Sequence, residues 1–257
     1  MQEFGVCELS MVPVRKQPSE TSEMVNQLLF GDLIKVYDSQ NNWLLIHTYH
    51  YDYEGWIDKN MITNINKTEF KRLANGKPSF VIEASAKAES ETNTQLNIPR
   101  GGRLTDVNDG NFEISGNRYS IDNNLFIQAG TISLTDLAMR YLGSPYMWGG
   151  RSPFGIDCSG LIQIIFKMID MNLKRDASQQ AEQGINIDFI NESKEGDLAF
   201  FDNSEGKIIH VGIILEDNRI LHASGTVRID KLDHHGIFND SQNKYTHNLR
   251  IIKRIQS

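Results

Sequence analysis

Short apolar runs with polar interruptions fill the first half of the chain. From Val6 to about Asn66 they read SMVPVR, MVNQLLF, DLIKVYD, WLLIHTY and EGWID, separated by Ser, Asn, Asp and Gly. Closely spaced strands joined by tight turns predict a small barrel or sandwich. Residues 68–129 have the same character in PSFVIEASAKA, GGRLTDV, FEISGNRYSI and LFIQ, with Gly76, Pro78, Pro99, Gly101 and Gly102 as punctuation. No helical spacing is expected before about residue 133.

Beyond that point the period changes. Leu134, Leu137, Ala138, Tyr141 and Leu142 follow helical spacing, with Ser133 and Asp136 as a start signal and Gly143 as a stop. A second helix is expected from about Cys158, with Leu161, Ile162, Ile165, Phe166 and Ile169 marking broad burial. Strands return after Lys194 as GDLAFFD, KIIHVGIIL and RILHAS. The pattern therefore predicts two β modules followed by an α+β domain, divided as 1–67, 68–130 and 131–257.

The chain has 257 residues, enough for two or three small domains with modest cores. Its 26 basic and 33 acidic side chains leave a net charge of −7. That balance argues against nucleic acid as a partner, because phosphate binding wants a basic face. The longest strongly apolar stretch, Leu161–Ile169, is broken by Gln163 and Lys167, whereas a membrane span needs roughly 20 apolar residues. No membrane association is expected. The opening MQEFGVCELSMVPVRK lacks the basic head and apolar core of a signal peptide. Cys7 and Cys158 stand far apart without metal-ligand spacing, which suits a reducing compartment. A cytoplasmic location is expected; a periplasmic or secreted one follows instead if a signal segment has been trimmed.

The candidate chemistry begins in YLGSPYMWGGRSPFGIDCSG, residues 141–160. A glycine-rich loop delivers Cys158 to the start of a helix, where the dipole favours a thiolate and free N–H groups can cradle an oxyanion. The plain alternative is a buried cysteine that only packs. A nucleophilic cysteine needs an imidazole, and His210 and His222 flank apolar strand runs on an apparent hairpin. Both serve one site only if they share a face of the sheet. A two-residue turn at Asp217-Asn218 would put them on opposite faces; a three-residue loop, Glu216 to Asn218, sets Gly212 opposite His222 and restores the shared face. A three-residue loop or a one-residue bulge is therefore expected. His234 and His235 lie in a polar loop without partner spacing, so no metal site is expected.

YMWGGRSPFGIDCSGLIQIIF, with KRDASQQAEQG, EGDLAFF, IIHVGIIL and ILHASG in order behind it, resembles the NlpC-type papain-like cysteine peptidases over residues 131–257. SETSEMVNQLLFGD followed by YEGWID resembles a bacterial SH3-like domain, and residues 68–129 match such a domain loosely. The resemblance implies a papain-like catalytic domain, with the nucleophile's helix packed on an antiparallel sheet, preceded by two small SH3-like β-barrels. It implies Cys158 as nucleophile, His210 as base, His222 as the orienting group and Tyr146 as a helper at the oxyanion site.

The whole arrangement resembles the γ-D-glutamyl-L-diamino-acid endopeptidases that process freed muropeptides. In those enzymes the first SH3-like domain closes one end of the cleft. The implied substrate is a stem peptide, L-Ala-γ-D-Glu-diamino acid, with a free alanine amine. Asp157 and Glu23 would pair with that ammonium, Tyr53 would line the wall, and Ser159 and Ser178 would contact the peptide. A monomer without cofactor is expected. Each residue also has a plainer role available: Asp157 and Ser178 as helix caps, Glu23 as a solvated surface group, Tyr146 as packing beneath the loop. Rival readings are a secreted hydrolase of intact peptidoglycan, an amidase or acyltransferase on the same scaffold, and a non-catalytic module binding wall peptides.

Overall fold

The computed structural model describes residues 3–92 and 94–256. The chain folds as two compact units, one of residues 1–132 with 148–154, the other of residues 133–147 with 155–257.

In the first unit, the strands expected before Asn66 form a seven-stranded antiparallel sheet. Its order is Met24–Leu29, Met11–Arg15, Glu54–Asp58, Trp43–Thr48, Leu33–Gln40, Glu3–Val6, Thr63–Ile65. Val12, Val14, Ile46 and Ile57 alternate with half-buried neighbours and pack with Leu28 and Ile34 around Cys7. Cys7 is a buried apolar group in this core. Residues 78–128 make a four-stranded and a three-stranded sheet. Their core draws Val81, Ala88, Ile98, Leu104, Phe112 and Ile121 together with Val6, Phe30 and Leu33 from before residue 67, so it crosses the expected 67/68 division.

A helix, Lys67–Asn75, stands at that division, where none was expected. Its sequence KTEFKRLAN carries only Phe70 and Leu73 on the buried face, too thin a stripe to register as a period. Local signals hold it instead. The Asn66 side chain accepts from the Glu69 N–H at 2.9 Å, and Glu69 pairs with Arg72 one turn on.

The second unit is built on a seven-stranded antiparallel sheet in the order Ile185–Ile187, Lys244–Arg254, Leu198–Asp202, Ile208–Leu215, Arg219–Ser224, Thr226–Leu232, Gly236–Asn239. Gly236–Asn239 also pairs with Lys244–Arg254, which closes six of these strands into a ring. The helix Cys158–Met168 packs against Ile208–Leu215 and Arg219–Ser224 and is buried along its whole length. Apolar residues on all sides fit that position. The helix at Ser133 runs only over Leu134–Met139 before Gly143 turns the chain at φ +83°.

The hairpin between Ile208–Leu215 and Arg219–Ser224 has the odd loop that the two histidines require. Leu215 pairs with Arg219 across Glu216, Asp217 and Asn218, and Gly212 lies opposite His222. Asp217 and Asn218 adopt positive φ, which Asp and Asn tolerate better than other side chains.

Candidate active site

Cys158 opens its helix because Asp157 caps it: the Asp157 carboxylate accepts from the Gly160 N–H at 2.7 Å. The same carboxylate is gripped by Arg175, with Nη1–Oδ1 2.9 Å and Nη2 on Oδ2. Ser159 belongs to this network, its hydroxyl donating to Asp157 and accepting from Arg175. Cys158 is 7% exposed. Burial, and next the Asp157 carboxylate, push its pKa up to about 12, against the pull of the Val211 and Ser159 backbone N–H groups and Arg175. The thiolate expected from the helix dipole is therefore not the resting form, because desolvation outweighs the dipole here. The influence of the Val211 N–H sets the sulfur beside the strand residue that follows His210.

His210 and His222 come together as parity requires. His210 Nε2 lies 2.8 Å from His222 Nδ1, with the rings nearly perpendicular. His222 Nε2 in turn lies 2.9 Å from Asp230 Oδ2. Burial first, then the neighbouring His247 and His222 rings, hold His210 well below the usual imidazole pKa. At neutral pH the pair is thus a thiol and a neutral imidazole, a general-base arrangement rather than a preformed ion pair.

His247 stacks on His210 at 4.2 Å between centroids and 24° between planes. Ligand nitrogens of His210, His222 and His247 fall within 4.8 Å of one another, the spacing of a metal-binding set. Stacked rings, however, direct their in-plane lone pairs side by side instead of at one point, and His222 Nδ1 is already held by His210 Nε2. The arrangement suits a covered base, not chelation.

A thiol at a helix start beside a hydrogen-bonded imidazole pair is the constellation of a cysteine hydrolase, and the relatives of this chain agree. The model of the NlpC/P60 family matches residues 143–247, and that of the bacterial SH3 domain matches residues 10–63. The γ-D-glutamyl-L-lysine dipeptidyl-peptidase of Bacillus subtilis is 30% identical over 218 residues, which span 78% of this chain and 72% of that one. The chain belongs to the NlpC/P60 family. It is a cysteine peptidase with a bacterial SH3 domain. The dipeptidyl-peptidase 6 of Lysinibacillus sphaericus is 26% identical over 87% of this chain and 89% of its own. An NlpC/P60 family protein from Bacillus cereus shares the fold at a TM-score of 0.84, with 19% identity and 98% and 99% of the two chains covered.

The remaining candidate residues of this NlpC/P60 peptidase fall in different settings. Tyr146 is 37% exposed, and its hydroxyl is pushed up to about 12 by burial, then by the Cys158 and Asp157 charges. It stays protonated and able to donate, at electrostatic range of the thiol. Ser178 is exposed on the short helix Ala177–Gln180, which Asp176 caps. In the first unit, Glu23 is more than a solvated group: its Oε1 accepts from the Trp148 indole at 2.8 Å, and Lys16 pairs with its other oxygen at 3.2 Å. Tyr53 is half-buried, with its hydroxyl 3.5 Å from the Val25 carbonyl. Tyr51 is buried in a structural role, its hydroxyl accepting from Arg151 at 2.8 Å and Asn26 at 3.1 Å.

Arg175, Arg228, Asp230 and His247 of the catalytic unit went unread in the sequence. Asp230 carried a findable signal, since His222 pairs with Arg228 and Asp230 stands two residues further on the same face. His247 reaches His210 through the ring closure opposite Ile237, which no local pattern announces.

Proposed function

We propose that this peptidase hydrolyses the γ-D-glutamyl–diamino-acid bond of cell-wall stem peptides with a free N-terminal L-Ala, releasing L-Ala-D-Glu. The 30% identity to a γ-D-glutamyl-L-lysine dipeptidyl-peptidase, over 78% of this chain, carries this reading. A dipeptidyl-peptidase counts residues from a free amine, and in this reading Asp157, directly before the nucleophile in the sequence, is one of the carboxylates that receive it.

In this scheme Cys158 gives its proton to His210 as the sulfur attacks the γ-carbonyl. Since His210 Nε2 is committed to His222, Nδ1 is the accepting nitrogen. Backbone N–H groups at the helix start and the Tyr146 hydroxyl stabilise the oxyanion. The proton passes from His210 to the leaving amine, leaving a thioester. Water, deprotonated by His210, then releases the dipeptide and restores the thiol. Ser159 and Ser178 contact the peptide. Asp157 and Glu23 supply the negative charge for the ammonium and Tyr53 the wall residue, as the resemblance to the muropeptide endopeptidases implies. The second β module is a divergent SH3-like barrel. One chain supplies every group in the scheme, and a monomer acting on freed muropeptides in the cytoplasm suffices.

Hydrolysis of L-Ala-γ-D-Glu-L-Lys and its diaminopimelate counterpart, their N-acetylated forms and intact wall tests the proposal. Acetylation should lower kcat/KM roughly 10- to 150-fold, the worth of a desolvated charged contact. Cys158→Ser should abolish turnover. Equal cleavage of free and acetylated peptides, or preferential attack on intact wall, would overturn the substrate assignment.

A further inference from the structure

We propose that Asp230, braced by Arg228, is a positioning residue that sets the tautomers of both active-site imidazoles, making the site a four-member relay of Cys158, His210, His222 and Asp230. The inference rests on the reading of His210 as the base.

The geometry fixes each proton in turn. Asp230 is buried, and Arg228 Nη2 donates to its Oδ1 at 2.8 Å, while Nε lies 2.7 Å from Oδ2 as an ion-pair contact. Against the opposing effect of burial, His222 and then that guanidinium hold the Asp230 carboxyl below its usual range. An ionised carboxylate only accepts, so His222 Nε2, 2.9 Å away, must carry the hydrogen. A neutral His222 then presents a bare Nδ1. His210 Nε2, 2.8 Å from that atom, must donate to it. A neutral His210 with its hydrogen on Nε2 has its lone pair on Nδ1, the nitrogen that receives the thiol proton. Each ring holds one proton, and the carboxylate at the far end decides where.

Replacing Asp230 by Asn reverses the chain of donors at constant shape. The carboxamide oxygen takes the Arg228 Nη2 hydrogen, and its NH2 donates to His222 Nε2. His222 must then move its proton to Nδ1 and donate to His210 Nε2. The His210 proton shifts to Nδ1, where it blocks transfer from the thiol. Asp230→Ala removes the constraint without imposing the wrong tautomer, so both arrangements coexist.

The expected result is an order of activity that a purely structural role would not give. Asp230→Asn should lose on the order of 10²- to 10⁴-fold in kcat, up to what amidating a triad carboxylate costs, with KM moving far less. Asp230→Ala should retain more kcat than Asp230→Asn despite removing more of the side chain. In the Cys158→Ser background, which needs no turnover, 15N spectra of the histidine side chains should show hydrogen on His210 Nε2, and in Cys158→Ser/Asp230→Asn on Nδ1. An unchanged His210 tautomer in the double variant, or kcat of Asp230→Asn within tenfold of wild type, overturns the relay. If Asp230→Asn fails to fold, the comparison moves to Asp230→Ala, where a single His210 tautomer identical to the parent would overturn it equally. Persistent turnover by Cys158→Ser would instead refute the nucleophile assignment and leave the tautomer result standing.

Discussion

Arg175 and Asp157 form a buried, two-point ion pair one residue before the nucleophile, with Arg175 1% exposed and Nη1–Oδ1 at 2.9 Å. The carboxylate serves at once as helix cap, counter-ion and neighbour of the thiol. Removing its partner leaves a buried charge at the point where the reaction starts.

Arg175→Met should therefore destabilise the protein by about 3–5 kcal/mol, the cost of breaking a buried pair from one side. Adding Asp157→Asn should recover part of that loss. Urea unfolding of the two single variants and the double one measures the coupling. Additive effects would show that the contact contributes nothing of its own.

The first unit contains a second buried pair. Arg151 is fully buried, its Nη1 reaching Asp32 Oδ2 and the Tyr51 hydroxyl at 2.8 Å each, with its guanidinium 4.5 Å from the Tyr51 ring centroid. Arg151→Met should cost about 3–5 kcal/mol by the same argument. Differential scanning calorimetry reports it; a loss under about 1 kcal/mol would class the pair with exposed salt bridges.

Alkylation distinguishes the neutral pair from an ion pair. With the thiol pushed up to about 12 and His210 held well below 6.5, thiolate is scarce at neutral pH. The rate of iodoacetamide labelling at Cys158 should climb steadily from pH 6 to 9. A plateau across that range would mean a preformed thiolate. The acid limb of kcat/KM, set by protonation of His210, should fall well below pH 6.5.

Stability should follow the same imidazoles. Burial first, then His222, lowers the folded pKa of His247 to about 4, and burial lowers that of His210 well below 6.5. Between about pH 4 and 6.5 the unfolded chain binds more protons than the folded one, so stability rises with pH there and then levels off. Asp230, held below 3.8, adds a loss in the same direction at lower pH still. Urea midpoints at stepped pH check this, and His247→Phe should flatten the rise. A midpoint independent of pH across the window would contradict it.

Much of the architecture was legible because local patterns dictate it. Alternating runs mark strands wherever one face is buried, and Leu161, Ile162, Ile165 and Phe166 can only be a buried helix. Parity required a three-residue loop or a one-residue bulge between the histidine strands, and the register has the loop, Glu216 to Asn218. The helix Lys67–Asn75 escaped because its evidence is a cap and one ion pair rather than a period.

What the sequence by itself determined is the identity and order of the chemistry: a cysteine at a helix start, two histidines sharing a strand face, and an SH3-like module ahead of them. Tertiary structure alone decided the state of that chemistry. The Cys158 proton stays on sulfur because burial removes water, and burial is a property of packing. Arg175 neutralises Asp157 from 18 residues away, Asp230 reaches His222 across a hairpin, and His247 covers His210 through a ring closure. Charge, hydrogen bonding and desolvation act through space, so their balance at Cys158 exists only once the strands have closed.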